Sequence, residues 1–176
     1  MRGATAQAHE ALDRLFSRFN LAKAEGYGAF LLAHAPAYIA TERALDKAGA
    51  QHLIPGWRDR LRSASLLRDI AALGLTPPSP APSPAFTNDA QLLGGLYVLE
   101  GSRLGGAMLV RRVAKGLPTA FLAPGNPADW RAFISLLDQR LSSAAVLADA
   151  ISAAQAVFSL FERSARDKLE PMGIDC

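Results

Sequence analysis

The residues from Ser143 to Leu169 place the strongest constraint on how this chain can fold. Val146, Leu147, Ala150, Ile151, Ala154, Val157, Phe158 and Phe161 recur at intervals of three and four. That spacing lines one side of an α-helix and neither side of a strand. A long helix with one apolar stripe needs other helices to cover it, and the rest of the chain supplies them. Helices are expected over about 2–19, 22–48, 57–73, 87–115 and 128–141. Asn20, Gly49, Pro55-Gly56, the run TPPSPAPSP at 76–84 and the Pro- and Gly-rich stretch 116–127 separate them. Pro36 is expected to kink the second helix or divide it. Thr87 is a candidate N-cap for the fourth. The sequence has no sustained period-2 alternation, no Asn-Gly hairpin turn and no internal repeat. The expected fold class is all-α, a bundle of six or seven helices forming a single domain over 1–176.

Charge and cysteine content exclude several functions. Arg58, Arg60, Arg62 and Arg68 cluster, but acidic residues and leucines interrupt them, and the net charge is only +3. No nucleic-acid partner is expected. The one cysteine, Cys176, allows no internal disulfide, which suits a reducing compartment, and makes a poor buried nucleophile for a thiaminase-like hydrolase. The stretch MRGATAQAHEALD lacks the apolar centre of a signal peptide. The longest uncharged stretch, Gly26 to Thr41, is too short to span a bilayer. A cytoplasmic protein with no membrane partner is expected. A di-iron carboxylate site would want glutamate three residues before histidine, and none of His9, His34 and His52 has one.

Two features can carry chemistry. His9 shares a helix face with Leu12, Asp13 and Phe16, so it borders the apolar stripe with a carboxylate one turn away. It reads either as a satisfied core histidine or as an axial ligand to haem iron. The second feature is GLYVLEGSRLGGAMLVRR, residues 95–112. Glycine inside a helix costs roughly 0.5–1 kcal/mol relative to alanine. Gly94, Gly95, Gly101, Gly105 and Gly106 must therefore gain something in return. One reading is close packing of helix on helix. The other is bare backbone lying over a flat ligand.

Two segments taken together resemble haem oxygenase, in particular the short soluble bacterial enzymes. RGATAQAHEALDRLF, residues 2–16, resembles the family's proximal helix: Arg2 is the basic residue, Ala4-Thr5 precede the ligand histidine His9, and Asp13 is the polar residue one turn on. LYVLEGSRLGGAMLVRRV, residues 96–113, resembles the distal helix, with Gly101, Gly105 and Gly106 as its Gly-x-x-x-Gly-Gly. The resemblance implies haem held between the two helices, with His9 on the iron and the distal glycines against the opposite ring face. Haem is then both cofactor and substrate. The implied reaction is its oxidative opening to biliverdin, carbon monoxide and ferrous iron, with dioxygen and an external electron donor such as a ferredoxin or a flavin reductase.

The resemblance has departures. The position after the first distal glycine, often aspartate in the family, is Ser102; a hydroxyl can hold water but is not an acid. A second basic position on the first helix is Ala6. Arg2 is the expected propionate partner, Arg103 a candidate for the same task or a solvated residue, and Tyr97 a candidate hydrogen-bond donor. Arg163 and Arg166 are further propionate candidates. Phytochrome-associated members are similar in the Glu-Gly-Ser segment, so a phytochrome receiving the bilin is an expected partner. A haem carrier or sensor of the same fold, binding without turnover, remains the alternative, since His9 and the glycines would serve both. A pure interaction domain is the remaining reading.

Overall fold

Helix α6 (Ala144–Leu169) is the axis on which the other long helices gather, and α1 (Arg2–Phe16), α2 (Ala24–Lys47) and α4 (Asp89–Leu109) all pack along it. The shorter α3 (Ser63–Ala72) lies on α2, and α5 (Pro127–Arg140) touches α4. The structure, a computed structural model, describes residues 1–173; Cys176 lies outside the described residues. Among the described residues every regular element is helical, and one-turn 3-10 helices at Ala50–His52, Trp57–Arg60, Val110–Arg112, Ala120–Leu122 and Glu170–Met172 complete the set. Most of the inward stripe of α6 is buried: Ala150, Ala154, Val157, Phe158 and Phe161 are core, whereas Leu147 and Ile151 are half-buried and Val146, in the first turn where α6 has less packed against it, is exposed. Ala144–Met172 is long and apolar enough to cross a membrane, a measure that a core helix ringed by three others also meets.

Several boundaries differ from the periodicity, each for a tertiary reason. Pro36 does not divide α2, which continues to Lys47. Most of its residues are buried, and packing on many sides outweighs the hydrogen bond that proline removes. The proline-rich run lies against it: the Ala81 N–H donates to the Pro36 carbonyl at 3.0 Å. The expected helix over 57–73 is instead a 3-10 turn, an extended Leu61 and then α3. The start of α3 is capped from another element. The Glu42 carboxylate accepts the N–H of Arg62 at 2.6 Å and of Ser63 at 3.0 Å, satisfying backbone donors that a helix start leaves open. Asn88, one residue after Thr87, caps α4 by accepting from the Gln91 N–H. The α-helical part of α4 stops at Leu109, short of Lys115. Beyond it the Ala114 N–H turns to the Leu21 carbonyl at 3.2 Å, tying this end of α4 to the α1–α2 connection.

Candidate functional site

The glycines of α4 separate into two groups by what a side chain there would meet. A Cβ on Gly94 would stand 2.2 Å from the Ala150 carbonyl oxygen of α6, and one on Gly95 would stand 2.6 Å from the Phe86 ring. These two allow close packing. At Gly101 and Gly105, among the described residues, no heavy atom beyond the adjacent residues and the helix's own backbone lies within 4 Å of the Cβ position. Gly106 packs normally on Leu122. Close packing therefore accounts for Gly94 and Gly95 and leaves Gly101 and Gly105 without a packing partner. By the helical period Leu104 and Met108 flank the open pair. They are 43% and 75% exposed, an apolar surface around bare backbone with nothing over it.

On α1, Thr5 is buried and its hydroxyl donates back to the Met1 carbonyl, anchoring the first turn. His9 lies one turn on. Its Nδ1 faces the Asp13 carboxylate at 3.1 Å, and its ring meets Phe158 of α6 edge-on at 6.1 Å. The ring is 59% exposed, so it stands at a surface of the bundle and not inside the core. With Nδ1 turned to Asp13, Nε2 is left facing away from the carboxylate, and the Asp13 contact favours the tautomer with its proton on Nδ1.

A wall of rings leads from α1 toward α4. Phe16 and Phe30 flank His34 with centroids at 4.1 and 4.3 Å, and Phe161 and Phe121 follow at 6.0 and 5.6 Å. His34 Nδ1 pairs with the Phe30 carbonyl at 2.9 Å. Desolvation pushes its pKa down to about 4; the Phe30 hydrogen bond opposes this and the Arg62 charge adds to it. His34 is therefore neutral at pH 7. Beyond Phe121 stands a buried polar cluster. The Arg62 guanidinium lies over the Tyr38 and Phe121 rings at 5.1 and 4.9 Å. Its Nε donates to Tyr38 Oη at 2.9 Å, Nη1 to the Phe121 carbonyl at 3.1 Å and Nη2 to Ser102 Oγ at 2.8 Å. Burial raises the Tyr38 pKa, so it stays a neutral phenol. The buried Asp69 carboxylate holds the other side, accepting the N–H groups of Ala120 and Phe121.

The structure brings His9 and Asp13 together, sets Gly101 and Gly105 on one open face, and puts Ser102 at that face's edge. It disperses the other candidates. Arg2 is exposed in the first turn of α1. The Tyr97 ring packs on Trp130 at 6.2 Å. Arg103 runs over Gly125 and donates to the Arg60 carbonyl, and its buried Nε has no hydrogen-bond partner among the described residues. Arg163 lines a separate cleft between α2, the proline-rich run and α6, and Arg166 pairs with Glu162 at 2.7 Å. Sequence reasoning missed Arg62 and Phe121. Arg62 looked like one member of a surface cluster, yet Arg60 pairs with Glu100 and Asp129 while Arg62 is only 7% exposed.

No family model matches the sequence. A haem oxygenase of Xanthomonas campestris pv. campestris (strain 8004) is 44% identical over 113 residues, spanning 60% of this chain and 68% of that protein. Among solved structures, the haem oxygenase of Neisseria meningitidis with NO or CO bound superimposes with a TM-score of 0.81, covering 96% of this chain and 89% of that one at 24% identity.

Proposed function

This chain belongs to the haem oxygenase family, and we propose how its own residues serve that family's reaction. It is an enzyme that opens haem with dioxygen and reductant, releasing biliverdin, carbon monoxide and iron. The residues present fit the porphyrin: an imidazole with one nitrogen oriented by a carboxylate, an uncovered pair of helical glycines, and exposed apolar side chains beside them. The observation that carries the assignment is the open backbone at Gly101 and Gly105. Among the described residues nothing packs into the space at these two glycines, whereas Gly94 and Gly95 are explained by packing.

His9 Nε2 would hold the iron, and Asp13 would keep the ring in the tautomer that allows it. Gly101 and Gly105 would bring main chain against the opposite ring face. Gly106, Leu122 and the aromatic wall would exclude bulk water behind it. Haem itself supplies the dioxygen-activating centre and the carbon that is attacked. Ser102 would hold a water at the edge of the glycine face. Arg2, at the start of α1, is the propionate partner in this scheme; Arg103 and Tyr97 are held by other contacts and stand further from that task. The whole chain acts as one haem oxygenase-like domain, in the cytoplasm, with electrons from a ferredoxin or flavin reductase. The run Glu100-Gly101-Ser102 supports delivery of the bilin to a phytochrome.

The decisive experiment adds haem to the purified protein and then a chemical reductant in air. Enzyme behaviour is a Soret band that forms on binding and then decays as bilin absorption rises. A stable Soret band under reductant would favour a carrier or sensor. His9→Ala should abolish the imidazole-ligated spectrum; an unchanged spectrum would remove His9 as the ligand.

A further inference from the structure

The residue after the first open glycine has a hydroxyl that is already committed. Ser102 Oγ donates to the Leu99 carbonyl at 2.7 Å and accepts from Arg62 Nη2 at 2.8 Å. A hydroxyl has one proton and two lone pairs, so one lone pair remains. The group that fixes it is itself immobile. Arg62 is buried, stacked on two rings, bonded to Tyr38 Oη and the Phe121 carbonyl, and held at its own backbone by Glu42. Among the described residues no carboxylate forms an ion pair with this guanidinium. The guanidinium hydrogen bonds all go to neutral acceptors, while the buried Glu42 and Asp69 carboxylates of the same cluster are engaged by backbone N–H groups, so this buried cation is held without a direct ion pair and is costly to keep. Packing alone would be served as well by an apolar side chain of similar size.

We propose that Arg62 is a positioning residue for the oxygen-side water of the haem site, acting through Ser102. The proposal rests on the haem reading above. Arg62 locks Ser102 as an acceptor-only anchor. A water bound there donates one proton to Oγ and turns its other proton toward the open face of Gly101 and Gly105. A carboxylate at position 102 would carry charge and could take that proton. A neutral oxygen backed by a fixed cation holds the water without taking it, and the nearby positive charge makes the water a better proton donor. The pair Arg62–Ser102 thus does, with the opposite charge, what a single acid does elsewhere.

The test is a double-mutant cycle on the haem complex, read by the pH midpoint of the ferric acid–alkaline spectral transition, with haem affinity and melting temperature recorded alongside. Arg62→Gln and Ser102→Ala should each raise the midpoint by about one unit, while Arg62→Lys, which keeps the charge, recovers part of the shift. In the Ser102→Ala background the effect of Arg62→Gln should fall to about a third or less, because the two residues act as one unit. An equal effect in both backgrounds would overturn the proposal, as would a midpoint that Ser102→Ala leaves unchanged. Ser102→Ala leaves the Arg62 stack intact, so the second outcome can be read even if Arg62→Gln does not fold. A wild-type protein that forms no imidazole-ligated haem complex at all would instead count against the haem reading itself, a result distinguishable from an additive cycle.

Discussion

His34 is held neutral by the rings of Phe16, Phe30, Phe121 and Phe161, and this has a consequence for stability in acid. Its pKa falls from the ordinary 6.5 to about 4, chiefly through desolvation. The unfolded chain takes up a proton below pH 6.5, while the folded chain refuses it until about pH 4. Stability contributed by the neutral ring is therefore present above that window and lost as pH falls through it. Two and a half units correspond to at most about 3 kcal/mol, an upper bound because the ring keeps partial exposure. His34→Phe removes the titrating group and suits the aromatic surroundings. Urea unfolding at pH 7 and pH 4.5 should show the wild type losing about 2 kcal/mol more than the variant. Equal losses would mean that the imidazole takes its proton as readily folded as unfolded. A half-buried histidine was legible from its apolar neighbours and from Phe30 one turn before, but Phe16, Phe121 and Phe161 come from other elements and no local pattern announces them. The pairing of His9 with Asp13, by contrast, was legible because it lies within one helix face, although the ring stands at the surface and not toward the core.

At the scale of the element, α4 uses one residue type in two settings, packed at Gly94 and Gly95 and open at Gly101 and Gly105. Gly94→Ala should destabilise the fold by about 1–3 kcal/mol, because the new methyl meets the rigid Ala150 carbonyl of α6 and the helices must separate. Gly105→Ala should do the reverse in the haem-free protein. The site is helical with open space around the Cβ, so alanine should raise stability by roughly 0.5–1 kcal/mol. The same variant should weaken haem binding and slow turnover. Thermal melting of both variants without haem, followed by haem titration, separates the effects. A destabilised Gly105→Ala protein would mean that this face is packed after all. The spacing of the glycines was visible in sequence, but periodicity gives the direction of a side chain and not what stands opposite. That explains why packing and ligand readings could not be divided until α6 was in place. The same limit explains the helix ends. Glu42 capping α3 and Leu21 capturing the Ala114 N–H are contacts between elements, whereas the stripe of α6 is written entirely within it.

For the whole molecule, the uncovered surfaces of α1 and α4 would couple haem binding to folding. α1 and α4 both rest on α6, and each presents a surface with no covering layer: the His9 ring on one, and Leu104, Met108 and the open glycines on the other. A porphyrin that binds only the native arrangement adds stability by mass action, about 2.7 kcal/mol at one hundred times its dissociation constant. For a chain of this size each kcal/mol moves the melting temperature by roughly 2–4 °C, so saturation should raise it by roughly 5–10 °C. The gain should rise with the logarithm of free haem and not plateau at one equivalent. His9→Ala should leave the haem-free melting temperature nearly unchanged, since the ring is exposed, pairs with an exposed carboxylate and meets only the edge of Phe158 among the described aromatic rings. It should also cut the haem-dependent rise, by about 1.4 kcal/mol for each tenfold loss of affinity. Differential scanning calorimetry across a haem titration, with both proteins side by side, reads both quantities. If haem raised the melting temperature of both equally, the porphyrin would be binding without the imidazole, and α1 would not be its proximal wall.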